Sequence, residues 1–254
     1  QVILYENMVP VFADIERHTG NISASSIASA ITDQTSAIMI VHYAGYPCDL
    51  AAIYALADQH DLALIEDCAH AAGSAYKGQR VGSNRGLQAF AFQATKNLSP
   101  VDGGLRFARS TNEARRARQL RWMGIDSSTL ERTTQKDSRN NYEVVELGYR
   151  YAMSDLNAAI GLAQLGQLEA GNSTRRAIAA RYDAALAPLQ GVETMIYNTD
   201  RQSSHHLYPL LCEHRDELAS WLRAQGIITG IHYQRNDAYS FFESATLPET
   251  QRFS

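Results

Sequence analysis

Two short apolar runs flank one amphipathic segment between residues 36 and 69, and no other feature constrains the fold as strongly. Residues 36–43, SAIMIVHY, form an apolar run rich in β-formers, which predicts a buried strand. CDLAAIYALADQHD follows, with Asp49 placed to cap a helix and Leu50, Ile53, Leu56 and Ala57 at helical spacing. LALIEDCA (62–69) is the second strand-like run. Strand, helix, strand within about 30 residues predicts a right-handed crossover between parallel strands. The expected class is therefore α/β with a mostly parallel sheet.

LQAFAFQAT (87–95) and GLRFARS (104–110) predict two further strands, joined by the loop KNLSPVDGG. TNEARRARQLRWMG (111–124) predicts a helix opened by Thr111 and closed by Gly124. Residues 125–142 are polar and irregular, a length that marks a functional or mobile loop. From Ser154 the pattern changes: SDLNAAIGLAQLGQLEA, capped by Ser154, and STRRAIAARYDAALAPL predict long helices. HHLYPLLC (205–212) then reads as strand, RDELASWLRAQG (215–226) as helix and IITGIHY (227–233) as strand. This divides the chain into a large α/β domain over 1–152 and long helices with a small α+β domain over 153–254. QVILYENMVPVFADIE opens inside what reads as a strand, without an initiator Met, and LPETQRFS ends without a closing element. The expectation is a fragment, or a chain with terminal parts of both domains missing.

Composition excludes several classes. The 254 residues are 45% hydrophobic and 20% charged, ordinary for a globular protein able to bury a core. A net charge of −4 gives no reason to expect nucleic acid or an anionic membrane as partner. No apolar run approaches the roughly 18 residues of a spanning helix. Cys48, Cys68 and Cys212 are too few and too scattered for a disulfide framework or metal cluster, so a reducing, cytoplasmic setting is expected. Cys68 reads as a buried structural thiol. His205, His206 and His232 form no metal motif; neighbouring residues of a strand point to opposite faces.

In open α/β sheets ligands bind at the carboxyl ends of the strands, where Asp67 and Lys96 both fall. A lysine amine condenses with an aldehyde to form a Schiff base, and a carboxylate holds a proton on a pyridine nitrogen, which is the division of labour of pyridoxal phosphate enzymes. Spacing alone leaves the plainer alternatives open: Asp67 as a structural strand-end residue, Lys96 as a solvated one.

VHYAGYPCDLAAIYALADQHDLALIEDCAHAAGSAYKGQRVGS, then FAFQATKNL and DGG, resembles the DegT/DnrJ/EryC1/StrS family of sugar aminotransferases. GYRYAMSDLNAAIGLAQL and GIHY extend the resemblance over nearly the whole chain. It implies an aspartate aminotransferase-like PLP-transferase fold and the cofactor pyridoxal 5′-phosphate. It further implies Lys96 as Schiff-base lysine and proton carrier, Asp67 as partner of the pyridinium nitrogen, and His70 against the cofactor ring. His206 or Tyr233 would lie near the substrate. Implied substrates are L-glutamate and a nucleotide-linked keto sugar of polysaccharide or natural-product biosynthesis. The implied assembly is a homodimer with shared sites.

Two departures accompany the resemblance. Ala91 stands where many members carry a phosphate-binding serine, which leaves Gln93 or Thr95 to supply a donor. Arg150 or Ala152 stands at the place of an asparagine lent by the neighbouring subunit. The family's Gly-Ser/Thr phosphate cradle is expected in a part of the chain ahead of Gln1. These departures motivate a second reading, a non-catalytic binding or scaffold protein. A third, a pyridoxal-dependent sugar dehydratase, is opposed by Lys96, because such enzymes carry histidine there.

Overall fold

A computed structural model describes residues 1–83, 85–128, 130, 132, 142–242 and 246–253. In chain order its elements begin with helices α1 (Val2–Tyr5) and α2 (Ala24–Ala30), strand β1 (Ala37–Val41), helix α3 (Leu50–Gln59) and strand β2 (Ala63–Asp67). Strands β3 (Ala75–Tyr76), β4 (Gln79–Arg80), β5 (Leu87–Ala91) and β6 (Gly104–Phe107) precede helices α4 (Thr111–Arg121), α5 (Asp155–Leu165) and α6 (Leu168–Leu186). The chain ends with strands β7 (Val192–Thr194), β8 (Arg201–Gln202) and β9 (Leu210–Cys212), then helices α7 (Arg215–Ala224) and α8 (Pro248–Phe253).

The central sheet has the order β1-β2-β5-β6. β1, β2 and β5 run parallel, with Val41 opposite Asp67 and Asp67 opposite Ala89. The crossover expected from residues 36–69 is thus present, and α3 is it. Asp49 caps α3 by accepting the Ala52 N–H, and Leu50, Ile53 and Ala57 pack on Ile38, Ile40 and Leu64. Each such aliphatic side chain stabilises the layer by about 1.5–3 kcal/mol.

The opposite face of the sheet is open. Strand alternation places Met39, Val41, Ile65, Asp67 and Ala89 there, and Met39 and Val41 are exposed. The fully buried carboxylate is therefore Glu66, on the α3 face. It accepts hydrogen bonds from His42 Nε2 (3.1 Å), the Tyr54 hydroxyl (2.6 Å) and Gln88 Nε2 (3.1 Å). The Cys48 N–H donates to His42 Nδ1, so the ring proton sits on Nε2 and points at Glu66. Burial pushes the Glu66 carboxyl up, but its donors outweigh burial and hold it below its ordinary value. Cys68 lies beside this group with its thiol on the Glu66 carbonyl, and burial raises its pKa; it is a structural thiol, as expected.

Several expected elements differ. β6 is antiparallel to β5, a direction the sequence reading left open, because apolar alternation carries no information about it. The strand expected to reach Thr95 ends at Ala91, although Phe92 N–H still bonds the Gly103 carbonyl. α4 is capped by Ser110 rather than Thr111: the Ser110 hydroxyl accepts the Glu113 N–H. It stops at Arg121, with Gly124 beyond it at φ +71°, where any Cβ would collide with the Glu146 carbonyl. α6 begins at Leu168, five residues early. The opening segment forms the helical turn α1, not a strand. HHLYPLLC is extended only over Leu210–Cys212, and IITGIHY forms no strand because no neighbour pairs with it. The expected 125–142 loop falls largely outside the described residues; within it Ile125 bridges to Val144. Among the described residues no helix is long and apolar enough to cross a membrane.

Candidate active site

The carboxyl ends of β1, β2 and β5 lie side by side, at the edge where the crevice that takes ligands in open α/β sheets is found. Asp67 closes β2, and its Oδ1 accepts the Ala69 N–H at 2.9 Å. Lys96 sits in the turn after β5, where its N–H bonds the Gln93 carbonyl. Burial lowers the Lys96 pKa, and the charge of Asp67 opposes that shift only in part. The charge of Asp67 therefore reaches the amine of Lys96 from the end of the neighbouring strand.

His70 follows in the turn after Asp67, nearly fully buried. Its Nε2 lies 3.1 Å from the Tyr233 hydroxyl, and the two rings stack at 6.1 Å. His206 also packs against it, with ring centroids 4.4 Å apart. Burial, then the charges of His206, Lys96 and His232, push His70 down to about 3; burial, then Lys96, His232 and Arg175, take His206 to about 4. Both imidazoles are neutral at physiological pH. Burial and then Asp67 raise the Tyr233 pKa, and its hydroxyl sits against His70.

Local chemistry explains how distant segments meet here. Gly45 has φ +91°, and a Cβ there would lie 2.3 Å from Ser204 Oγ, so glycine permits the close approach of residues 203–206. The Gly45 carbonyl accepts both the Ser74 hydroxyl and the Ser204 N–H, and Ser204 Oγ donates to the His70 carbonyl at 2.8 Å. His206 is thereby held over the Lys96 turn, 3.0 Å from Asn97 Oδ1. His205 turns the other way and packs edge-on to Tyr197, through a backbone kink at φ +44° rather than strand alternation.

The expected residues Asp67, Lys96, His70, His206 and Tyr233 converge. Gln93 does not join them: it is exposed, and its Oε1 is occupied by the N–H and hydroxyl of Thr95. β5 has already ended, so alternation no longer aims these side chains. Arg150 lies 3.8 Å over the Trp122 ring. Tyr46 is a packing aromatic, fully buried with its hydroxyl on the Asn198 N–H, whereas Tyr43 borders the crevice through the His232 carbonyl. Sequence reasoning overlooked Asn97, Asn172 and the Glu66 group. Only the asparagine directly after Lys96 and the paired carboxylates at 66–67 hinted at them.

A model of the DegT/DnrJ/EryC1/StrS aminotransferase family matches residues 1–254. The uncharacterized protein MJ1066 of Methanocaldococcus jannaschii is 37% identical over 238 residues, covering 91% of this chain and 61% of that protein. The chain thus spans less than two thirds of the length of this curated relative. The crystal structure of AtS13 from Actinomadura melliaura superposes with a TM-score of 0.89 at 33% identity, covering 98% of this chain and 67% of that one. The sugar aminotransferase CalS13 from Micromonospora echinospora superposes with a TM-score of 0.90 at 31% identity, covering 99% and 69%. With a family match over every residue and the parallel-sheet architecture to go with it, this chain belongs to the DegT/DnrJ/EryC1/StrS aminotransferase family.

Proposed function

We propose that this chain serves the pyridoxal 5′-phosphate-dependent transfer of an amino group from L-glutamate to a nucleotide-linked keto sugar. The observation that carries the reading is the pairing of a depressed lysine amine, Lys96, with Asp67 across one crevice. The naming of CalS13 as a sugar aminotransferase supports the substrate class.

The residues present fit the cofactor at its ring and its aldehyde. Lys96 is half-buried, and His70 keeps a buried Nδ1 with no hydrogen-bond partner among the described residues. In this reading Lys96 and Asp67 are the catalytic pair, and His70 lies against the ring. When bound, pyridoxal phosphate supplies an electron sink for the bonds at an amine-bearing carbon. Lys96 Nζ carries the proton taken from the donor's α carbon, a role helped by its lowered pKa. Asp67 holds the proton on the ring nitrogen. His206 and Tyr233 line the substrate side. Gln93 would need to release Thr95 to reach a phosphate, so phosphate binding rests on other groups.

Residues 1–152 carry the lysine and carboxylate in this scheme, and 153–254 close the crevice with His206 and Tyr233. A homodimer is part of the proposal, supported by the exposed apolar side chains Leu147 (94%), Leu156 (79%) and Tyr151 (74%). The free thiols Cys48, Cys68 and Cys212 agree with a cytoplasmic setting.

The test is to incubate the protein with pyridoxal phosphate, reduce with borohydride and map the modified peptide by mass spectrometry. A pyridoxyl group on Lys96, absent in Lys96→Ala, is expected. Modification elsewhere, or none, overturns the enzyme reading and leaves the scaffold alternative. Transfer of ¹⁵N from labelled glutamate across a panel of nucleotide keto sugars then identifies the acceptor.

A further inference from the structure

We infer that Asn97 and Asn172 are positioning residues that lock His206 into one tautomer, so that its Nε2 presents a fixed hydrogen-bond acceptor beside Lys96. The inference rests on the proposed function only for the use made of that acceptor; the lock itself is a property of the folded chain.

The Ala72 carbonyl can only accept a hydrogen bond. It takes one from Asn172 Nδ2 at 2.9 Å. Asn172 is fully buried in α6, and Gly73 makes room for it: a Cβ at Gly73 would lie 2.3 Å from Asn172 Nδ2. With its nitrogen so assigned, Asn172 turns its Oδ1 to Asn97, whose Nδ2 donates to it at 2.9 Å and to the Ser204 carbonyl at 3.0 Å. Two acceptors on one side fix the Asn97 amide, and its Oδ1 must then accept from His206 Nδ1 at 3.0 Å. A neutral imidazole with its proton on Nδ1 has a bare lone pair on Nε2.

His206 stays neutral because burial and the neighbouring Lys96 oppose its charge. It thus offers an acceptor and not an acid at neutral pH. The crevice beside Lys96 suits a substrate that brings a donor there, a hydroxyl or an ammonium group. A keto group facing His206 would meet two lone pairs in opposition, so the carbonyl of an acceptor sugar must point elsewhere. The same asparagine follows Lys96 directly, which ties the lysine turn to α6 and to the segment that carries His206.

The experiment is long-range ¹H–¹⁵N correlation spectroscopy on the ¹⁵N-histidine-labelled, cofactor-free protein at pH 7.5. The His206 signals are assigned by their loss in His206→Gln. The expected pattern has a protonated-type Nδ1 and a bare-type Nε2. Asn97→Ala should shift His206 to a mixture with the proton largely on Nε2. A wild-type ring protonated on Nε2 overturns the inference without any variant, as does a pattern unchanged in a folded Asn97→Ala protein. Should borohydride trapping fail at Lys96 while this pattern holds, the functional reading falls and the lock stands; the reverse pair of results separates them equally well.

Discussion

Asp67 and Glu66 are adjacent carboxylates with opposite surroundings. Asp67 ends on the open face of the sheet with one oxygen on the Ala69 N–H, whereas Glu66 is sealed against α3 by three donors. Removing Glu66 strands those donors, so Glu66→Ala should destabilise the fold by about 3–5 kcal/mol in urea titrations. Asp67→Ala, by contrast, should cost little stability. It should weaken pyridoxal phosphate binding about 10- to 100-fold, the loss of one charge-assisted hydrogen bond, measurable by fluorescence titration. The histidines set a pH window. His70 and His206 have folded values of about 3 and about 4 against an ordinary 6.5, so the unfolded chain binds their protons first. Their contribution to stability is full above pH 6.5 and is lost as pH falls toward 4. The lowered Glu66 value adds loss only below the ordinary carboxylate value of 4.5. Melting temperature should therefore drop between pH 6.5 and 5, and the His70→Gln/His206→Gln double variant should flatten that drop.

Helix ends follow the local sequence at α3 and α5 and depart from it at α4. Asp49 and Ser154 cap α3 and α5 as their positions predict, accepting the Ala52 and Asn157 N–H groups. Ser154→Ala should cost about 0.5–2 kcal/mol, read as a shift in the denaturant midpoint. At α4 two hydroxyl residues stand side by side, Ser110 and Thr111, and Glu113 decides between them. Its backbone N–H meets Ser110 Oγ, and its carboxylate takes the Arg109 N–H. The α3 core is the part of the fold most exposed to truncation: Ile53 is fully buried among Ile38, Ile40 and Leu64, and Ile53→Ala should cost about 2–5 kcal/mol. The C-terminal strand expectations failed for one reason. β-formers such as those of IITGIHY mark a chain that tolerates an extended shape, and pairing needs a neighbour that local sequence does not specify.

For the molecule as a whole, unsatisfied apolar surface is the main fact. The open sheet face shows Met39 and Val41, and the 144–165 region exposes Val144, Leu147, Tyr151, Leu156 and Leu162. Surface of this kind calls for a partner. Sedimentation velocity should show a concentration-dependent dimer that Leu156→Glu weakens at least tenfold, and a monomer at all concentrations would remove the shared-site proposal. The parallel crossover, the Asp49 cap and Asp67 at the end of β2 were determined by sequence alone, because periodicity and capping are local properties; β5 already ends at Ala91, so Lys96 falls in the turn beyond it. Tertiary structure decided that β6 runs antiparallel, that Gln93 turns back on Thr95, and that Asn172, 75 residues from Asn97, grips it. Those outcomes depend on which segments come within hydrogen-bonding distance, and a linear order of residues does not contain that distance.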